Sequence, residues 1–258
     1  MLDMKIKVLI NGRFTTHHFA IRNVIYNLTK GLSADDGLNV YVILNKKSNI
    51  DEFLKLPIKI IYNPFNSDNA VLNHFYTIFI LPIILLRKRI KIVIYPQISI
   101  FLYNPGKTIL YIHDLIEYYF DNQNKKKMLF RKITYPLVCR RSNYIVTVSN
   151  NSKQDIIKFL RVPDEKIHVA YNGYDSDLRP IDKIIAREYI EKKYKLKNFI
   201  FYIGYITHPQ KNLIYLIEEF SMLQKERKDI FLVFAGSKGK SSEKIFNKVE
   251  ELGLASKF

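Results

Sequence analysis

Cysteine is nearly absent: Cys139 is the single thiol in 258 residues. A disulfide framework is therefore excluded, and a reduced, cytosolic setting is the expectation. Cys139 lies among Tyr135, Leu137 and Val138 in a helical stretch, so it reads as a small core residue rather than a nucleophile. Long apolar runs are missing too. The most hydrophobic stretch, Phe75 to Leu86, is about a dozen residues with Pro82 inside, short of the roughly twenty that cross a bilayer. It predicts a buried, kinked helix, with membrane insertion as the alternative. Met1 to Ile10 alternates apolar residues with Lys5 and Lys7, as a first strand would, and lacks the cationic segment and apolar core of a secretion signal. No Gly-x-Gly-x-x-Gly follows that strand, which argues against a nicotinamide dehydrogenase.

Acidic residues are scarce. Against 41 Lys and Arg stand 24 Asp and Glu, for a formal net charge of +17. Such a balance suits anionic partners: phosphate-bearing donors, anionic lipid headgroups or nucleic acid. Part of the excess is solvated surface, in keeping with a general bias toward Ile, Lys, Asn, Tyr and Phe. No finger spacing or aromatic-interleaved basic stripe is present, so no nucleic-acid partner is expected.

What the chain does contain is an alternation. Strand-like apolar runs recur at Ile6 to Ile10, Val40 to Leu44, Ile58 to Tyr62, Ile92 to Tyr95, Thr108 to Ile112, Tyr144 to Val148 and Ile167 to Ala170. Helical stretches separate them, among them Ala20 to Leu32, Ala70 to Arg87, Lys125 to Arg140 and Asn150 to Leu160. Continuous apolar strands alternating with helices predict a parallel sheet covered on both faces, a doubly wound α/β domain over residues 1–178. A second series occupies 179–258: helix Asp182 to Tyr194, strand Phe199 to Ile203, helix Leu213 to Gln224, strand Ile230 to Ala235, helix Ser241 to Leu252. Two strands fall short of a Rossmann-type sheet and leave apolar edges open, so this second domain is expected to be incomplete and the chain truncated within it.

Several residues sit where such sheets place ligands. His113 and Asp114 follow the strand ending at Ile112; as a plain structural feature they would cap the next helix from Leu115. Asn11-Gly12-Arg13-Phe14 turns out of the first strand, and Gly12 permits close approach of backbone or ligand. Val148-Ser149 opens a helix with the cap candidates Ser149, Asn150 and Ser152, Asp155 completing a box with Ser152. The same helix start could hold an acceptor phosphate. Gly204-Tyr-Ile-Thr-His208-Pro209-Gln210-Lys211-Asn212 runs from strand to helix and brings a lysine to a helix N-terminus, a natural diphosphate site; it is also simply a good helix start. Asn172-Gly173 marks a hinge near the domain junction.

In this order the segments resemble the GT-B glycosyltransferases of family four, retaining enzymes that move a sugar from a nucleotide donor to a glycan or lipid-linked acceptor. The resemblance implies an α/β GT-B fold of two Rossmann-like domains, with a role in surface-polysaccharide or related glycan synthesis on the cytoplasmic side, peripheral to an anionic membrane face. It implies that His113, with Asp114, lines the cleft beside the sugar, where a histidine opposes developing charge without being the base. It implies that Lys211, with Gly204, Asn212 and Gly12, holds the leaving diphosphate without metal or other cofactor, and that Arg13, Arg22, Ser149 and Ser152 face the acceptor. Arg22 stands there by a one-residue shift, since relatives carry glycine and arginine where this chain has Ala20-Ile21-Arg22. Other departures are Gln210 for the usual arginine and Tyr205 for the usual serine or arginine. They leave a second reading, a noncatalytic remnant that keeps glycan or membrane affinity. Asp175-Ser176-Asp177 imitates a metal motif but follows Asn-Gly at a boundary instead of closing a strand. Glu243 and Glu251 share the spacing of the family's paired glutamates, yet fall on the helix after the second strand, too early for that pair.

Overall fold

The computed structural model describes residues 5–13, 19–45, 50–63, 65, 70–120, 125–174, 178–239 and 241–258. Contacts divide the chain into two units, Met1–Gly173 and Tyr174–Phe258.

In the first unit seven parallel strands form one sheet: β1 (Ile6–Asn11), β2 (Leu38–Asn45), β3 (Lys59–Asn63), β4 (Ile92–Tyr95), β5 (Lys107–Tyr111), β6 (Tyr144–Thr147) and β7 (Ile167–Val169), in the order β3-β2-β1-β4-β5-β6-β7. β1 is central, Val8 standing opposite Val40 on one side and Ile92 on the other. Successive side chains of a strand point to opposite faces. Leu9, Tyr41 and Ile43 accordingly enter one core, while Val8, Ile10, Val40, Val42 and Leu44 enter another. Both faces are dry, which is why these strands read as unbroken apolar runs.

The second core is closed by α1 (Phe19–Ser33) through Ile25 and by α2 (Asp51–Leu54) through Phe53. On the first lie α3 (Ala70–Phe75), α4 (Leu81–Lys88), α6 (Lys125–Arg141) and α7 (Asn150–Leu160), with the short α5 (Glu117–Phe120) before α6. Cys139 is fully enclosed there, and burial pushes its thiol up to about 12, so it is an inert core residue.

The segment over Phe75 to Leu86 departs from expectation in two ways. Pro82 has no N–H for the carbonyl of Ile78; the backbone widens into a π turn over Tyr76–Ile80 and resumes at α4, with Pro82 in the first turn where no donor is needed. The segment is also buried on one side only: Tyr76, Thr77, Leu81 and Leu85 face the core, while Phe75, Phe79, Ile83 and Leu86 are exposed.

The second unit holds α8 (Lys183–Tyr194), β8 (Asn198–Ile203), α9 (Leu213–Glu226), β9 (Ile230–Ala235) and α10 (Ser242–Glu251). Asp182 caps α8, accepting from the N–H groups of Ile184 and Ile185. β8 and β9 pair in parallel, Phe199 opposite Phe231. Leu232 packs with Leu213, Ile217, Phe220, Ile245 and Val249 in a third core. Backbone pairing continues past the strand ends, Ile206 bridging Lys238, and at Gly236 a Cβ would stand 1.8 Å from the Gly204 carbonyl oxygen, so only glycine fits.

Candidate functional site

Ligands of open α/β sheets bind beyond the carboxyl ends of the strands, where the strand order reverses. In the first unit that point lies between β1 and β4. The residues there are Asn11 at the end of β1, Gly12 and Arg13 after it and Pro96 after β4, with His113 beyond the neighbouring β5. The backbone carbonyl of Pro96 accepts a hydrogen bond from His113 Nε2 at 2.8 Å. A carbonyl can only accept, so this contact puts the ring proton on Nε2 and leaves Nδ1 to meet a donor such as a sugar hydroxyl. The ring is half-buried, 6.2 Å from that of Tyr111. Asp114 is exposed, and its Oδ1 accepts from the Ile116 N–H at 3.2 Å; the helix it precedes begins at Glu117 rather than Leu115.

Arg13 turns inward, 2% exposed. Its Nε donates to Asn11 Oδ1 at 3.0 Å and its Nη1 to the Asn73 carbonyl at 2.6 Å, with the guanidinium over the Tyr76 ring. Burial lowers its pKa to about 10, so it keeps its charge at neutral pH. A chain of asparagines at the strand ends continues from it: Asn45 Nδ2 donates to the Arg13 carbonyl, and Asn63 Nδ2 to Asn45 Oδ1 at 2.9 Å. The loop after β1 is thus bolted to the ends of β2 and β3. Gly12 serves the same packing, since a Cβ would lie 2.7 Å from the Ile43 carbonyl oxygen. Phe14 lies outside the described residues. Arg22, in the first turn of α1, pairs with Glu52 of α2 at 2.8 Å.

Ser149 is the N-cap of α7. Its Oγ accepts from the Ser152 N–H at 3.1 Å and donates to Ser152 Oγ at 3.0 Å, while Asn150 Nδ2 reaches Tyr171 after β7. The expected box between Ser152 and Asp155 is absent. The helix starts at Asn150, which puts Asp155 in its second turn, where it accepts from the Tyr119 hydroxyl at 2.6 Å.

In the second unit the loop from Gly204 enters α9 through a cis His208–Pro209 bond. Asn212 is the N-cap, in the left-handed region at φ 48°, with no capping bond from its side chain; its N–H donates to the Pro209 carbonyl. Lys211, one residue earlier, is exposed. The first N–H groups of α9 and a cation therefore share one end of the helix. His208 Nδ1, in the same loop, is buried without a hydrogen-bond partner. Glu251 is paired with Lys248 at 3.0 Å on the surface of α10. Asp175, Ser176 and Asp177 lie outside the described residues. Concavities bordered by Ile6, Lys91 and Gly106, and by Leu196, Lys197 and Arg227, open at the amino ends of strands, away from these loops.

Sequence reasoning passed over features in each of the two units. Pro96, which sets the His113 tautomer, acts through its backbone and carries no side-chain signal. Asn45 and Asn63 do carry one, because each, like the Asn11 already read in the first turn, ends an apolar strand where a buried amide needs partners. Gly236 mirrors Gly204, each following a strand of the second unit.

The sequence profile described as Glycosyltransferase Family 4 matches residues 21–178, more than half of the chain, and the chain belongs to that family. Among curated proteins no match was found. Solved structures share the fold at low identity. A glycosyltransferase from Rickettsia africae is 18% identical with a TM-score of 0.63, over 98% of this chain and 67% of its own. The Anabaena protein HepE, solved with UDP and glucose, is 12% identical with a TM-score of 0.63, over 98% and 68%. Sucrose-phosphate synthase from Thermosynechococcus elongatus is 10% identical with a TM-score of 0.68, over 98% and 69%. The fold is α/β of the GT-B class. The chain spans about two-thirds of the length of these structures, consistent with an incomplete second domain.

Proposed function

We propose that the protein is a hexosyltransferase of the retaining, nucleotide-sugar-dependent kind, acting on a glycan or lipid-linked acceptor in surface glycan synthesis. The observation that carries the reading is His113, held by the Pro96 carbonyl beside the switch point of a sheet of which six of the seven strands, β2 to β7, lie within the family match. The UDP and glucose bound by HepE favour a uridine diphosphate sugar as donor.

In this reading His113 fixes the sugar through Nδ1 and opposes charge developing at the reacting carbon. The diphosphate gains negative charge as it leaves. Lys211 and the first N–H groups of α9, with the loop from Gly204 to Asn212, offset that charge without a metal ion. Asp114 shapes the turn behind His113, and Gly12 brings backbone close to the donor. Ser149, capping α7 with Ser152 buried behind it, faces the acceptor; Arg13, turned inward, and Arg22, paired with Glu52, serve the acceptor side only by holding the turn out of β1 and the start of α1.

Isothermal titration and product analysis of the 258-residue chain with UDP-hexoses test the reading. Donor binding with hydrolysis or transfer supports it. His113→Ala and Lys211→Ala are each expected to lower turnover by roughly 100-fold or more, with the circular dichroism spectrum unchanged. Unchanged rates would remove those residues from the site. A second reading, a noncatalytic binding protein, is favoured by the loop before α9, where Tyr205 and Gln210 bring no charge beside Lys211. Affinity for glycan without affinity for any nucleotide sugar would select it.

A further inference from the structure

We propose that the outer side of the helix layer made by α3, the π turn, α4 and α6 is a docking face for an anionic lipid bilayer. These helices send Tyr76, Leu81, Leu85, Val138 and Cys139 into one core, so their opposite sides form the outer surface of a single layer. That surface is apolar as well. Phe75, Phe79, Ile83 and Leu86 follow at intervals of four, four and three residues, one stripe of a helix, and the rings of Phe75 and Phe79 are 5.1 Å apart. On α6, Leu129, Phe130, Ile133 and Leu137 lie within about 100° of arc at the turn angle of an α-helix. All eight are between 40% and 60% exposed. Single exposed apolar residues need no explanation; two continuous rows in one layer do.

Charge identifies the occupant. Residues 70–89 and 125–141 contain no Asp or Glu. Arg87, Lys88 and Arg89 end the first run, and the exposed Lys125, Lys126, Lys132 and Arg140 fall beside or within the α6 stripe. Apolar rows on helices that carry cations and no carboxylate of their own, the nearby Glu117 being paired with Arg131, match the boundary between anionic headgroups and acyl chains. A second copy laid face to face would oppose two basic surfaces, and a nucleic acid would leave the leucine and isoleucine side chains without a partner. Contact is in the plane of the membrane: no described helix is long and apolar enough to cross one. The inference does not depend on the transfer reaction.

Co-sedimentation of the full chain with vesicles tests it. Vesicles of phosphatidylcholine with roughly a third phosphatidylglycerol are expected to bind the protein about tenfold better than neutral ones, with salt weakening but not abolishing the binding. The chain has no tryptophan, so Phe130→Trp supplies a reporter whose emission shifts to the blue on anionic vesicles. Leu129→Glu with Ile133→Glu, Phe79→Glu with Ile83→Glu, and the triple Lys125→Gln, Lys126→Gln, Lys132→Gln should each reduce binding by about tenfold or more. These positions are exposed, and an unchanged circular dichroism spectrum confirms folding. Ile184→Glu with Ile185→Glu, exposed in the second unit, should leave binding unchanged. Absence of binding, equal binding to neutral vesicles, or equal loss from the Ile184 and Ile185 pair overturns the proposal, as does a soluble dimer that Ile133→Glu dissociates while vesicles are ignored.

Discussion

β1 and β8 begin as similar sequences, Ile-Lys-Val-Leu-Ile-Asn and Asn-Phe-Ile-Phe-Tyr-Ile, and end in different surroundings. β1 has a strand on each side and helices on both faces, and its last four residues are buried. β8 pairs with β9 alone, and among the described residues of its unit α9 and α10 cover one face. On the other face Phe201 is 53% exposed and Ile203 75%. An apolar strand sequence therefore states what a strand is suited to, a doubly covered sheet. How much stabilisation the strand delivers is set by the neighbours it has.

The sharpest way to break this comparison is to truncate matched side chains. Ile10, wholly buried in β1, should cost about 2 to 5 kcal/mol as Ile10→Ala, transfer and cavity acting together. Ile203→Ala should stay within about 0.5 kcal/mol. Cys139 provides the readout for the first unit, since a buried thiol reacts with a thiol reagent only when its surroundings open. Urea titration should shift strongly for Ile10→Ala when followed by Cys139 labelling, and hardly for Ile203→Ala when followed by limited proteolysis of the second unit. Comparable losses would mean that the Ile203 face is covered in solution, and the contrast would fall.

Gly236→Ala probes the second unit by itself. The methyl group would meet the Gly204 carbonyl oxygen at 1.8 Å on a backbone whose φ of +154° already disfavours a side chain. A loss of at least about 2 kcal/mol is expected, seen as earlier melting of α9 and α10 by circular dichroism and proteolysis, with Cys139 still protected. A variant as stable as the parent would show that β8 and β9 can part at their ends without cost.

These sites also show how far the sequence could be read. Periodicity located every strand to within a few residues, because two dry faces impose an unbroken apolar run that polar loops cannot imitate. Asn150–Leu160 emerged with both ends correct, fixed by the Ser149 cap at the start and by Arg161 in the left-handed region at the close. The short α2 and α5 left no signal, since a single turn has no period. The exposed side of α3 and α4 was missed because an apolar residue reads alike whether it faces a core or a surface. His113 was found from its place after a strand, but its hydrogen bond was not, because Pro96 contributes only a carbonyl. Arg13 was located as a loop residue, while its burial depended on Asn73, 60 residues away, which local patterns cannot reach.

The smallest expected effect compares the caps of the two units. Ser149 is partly buried and serves both the N–H and the hydroxyl of Ser152, itself 7% exposed. Ser149→Ala removes both partners where water has little access, and about 1 kcal/mol should be lost from the first unit. Asp182 accepts from two N–H groups, but α8 is open to solvent and water can replace the carboxylate. Asp182→Ala should therefore cost less, about 0.5 kcal/mol. Ser149→Gly refines the point: glycine tolerates the cap conformation and admits water to Ser152, so only a few tenths of a kcal/mol should go. If alanine and glycine at 149 prove equal, solvent reaches Ser152 in the parent too. The first unit would then be as open at this helix start as the second is at α8.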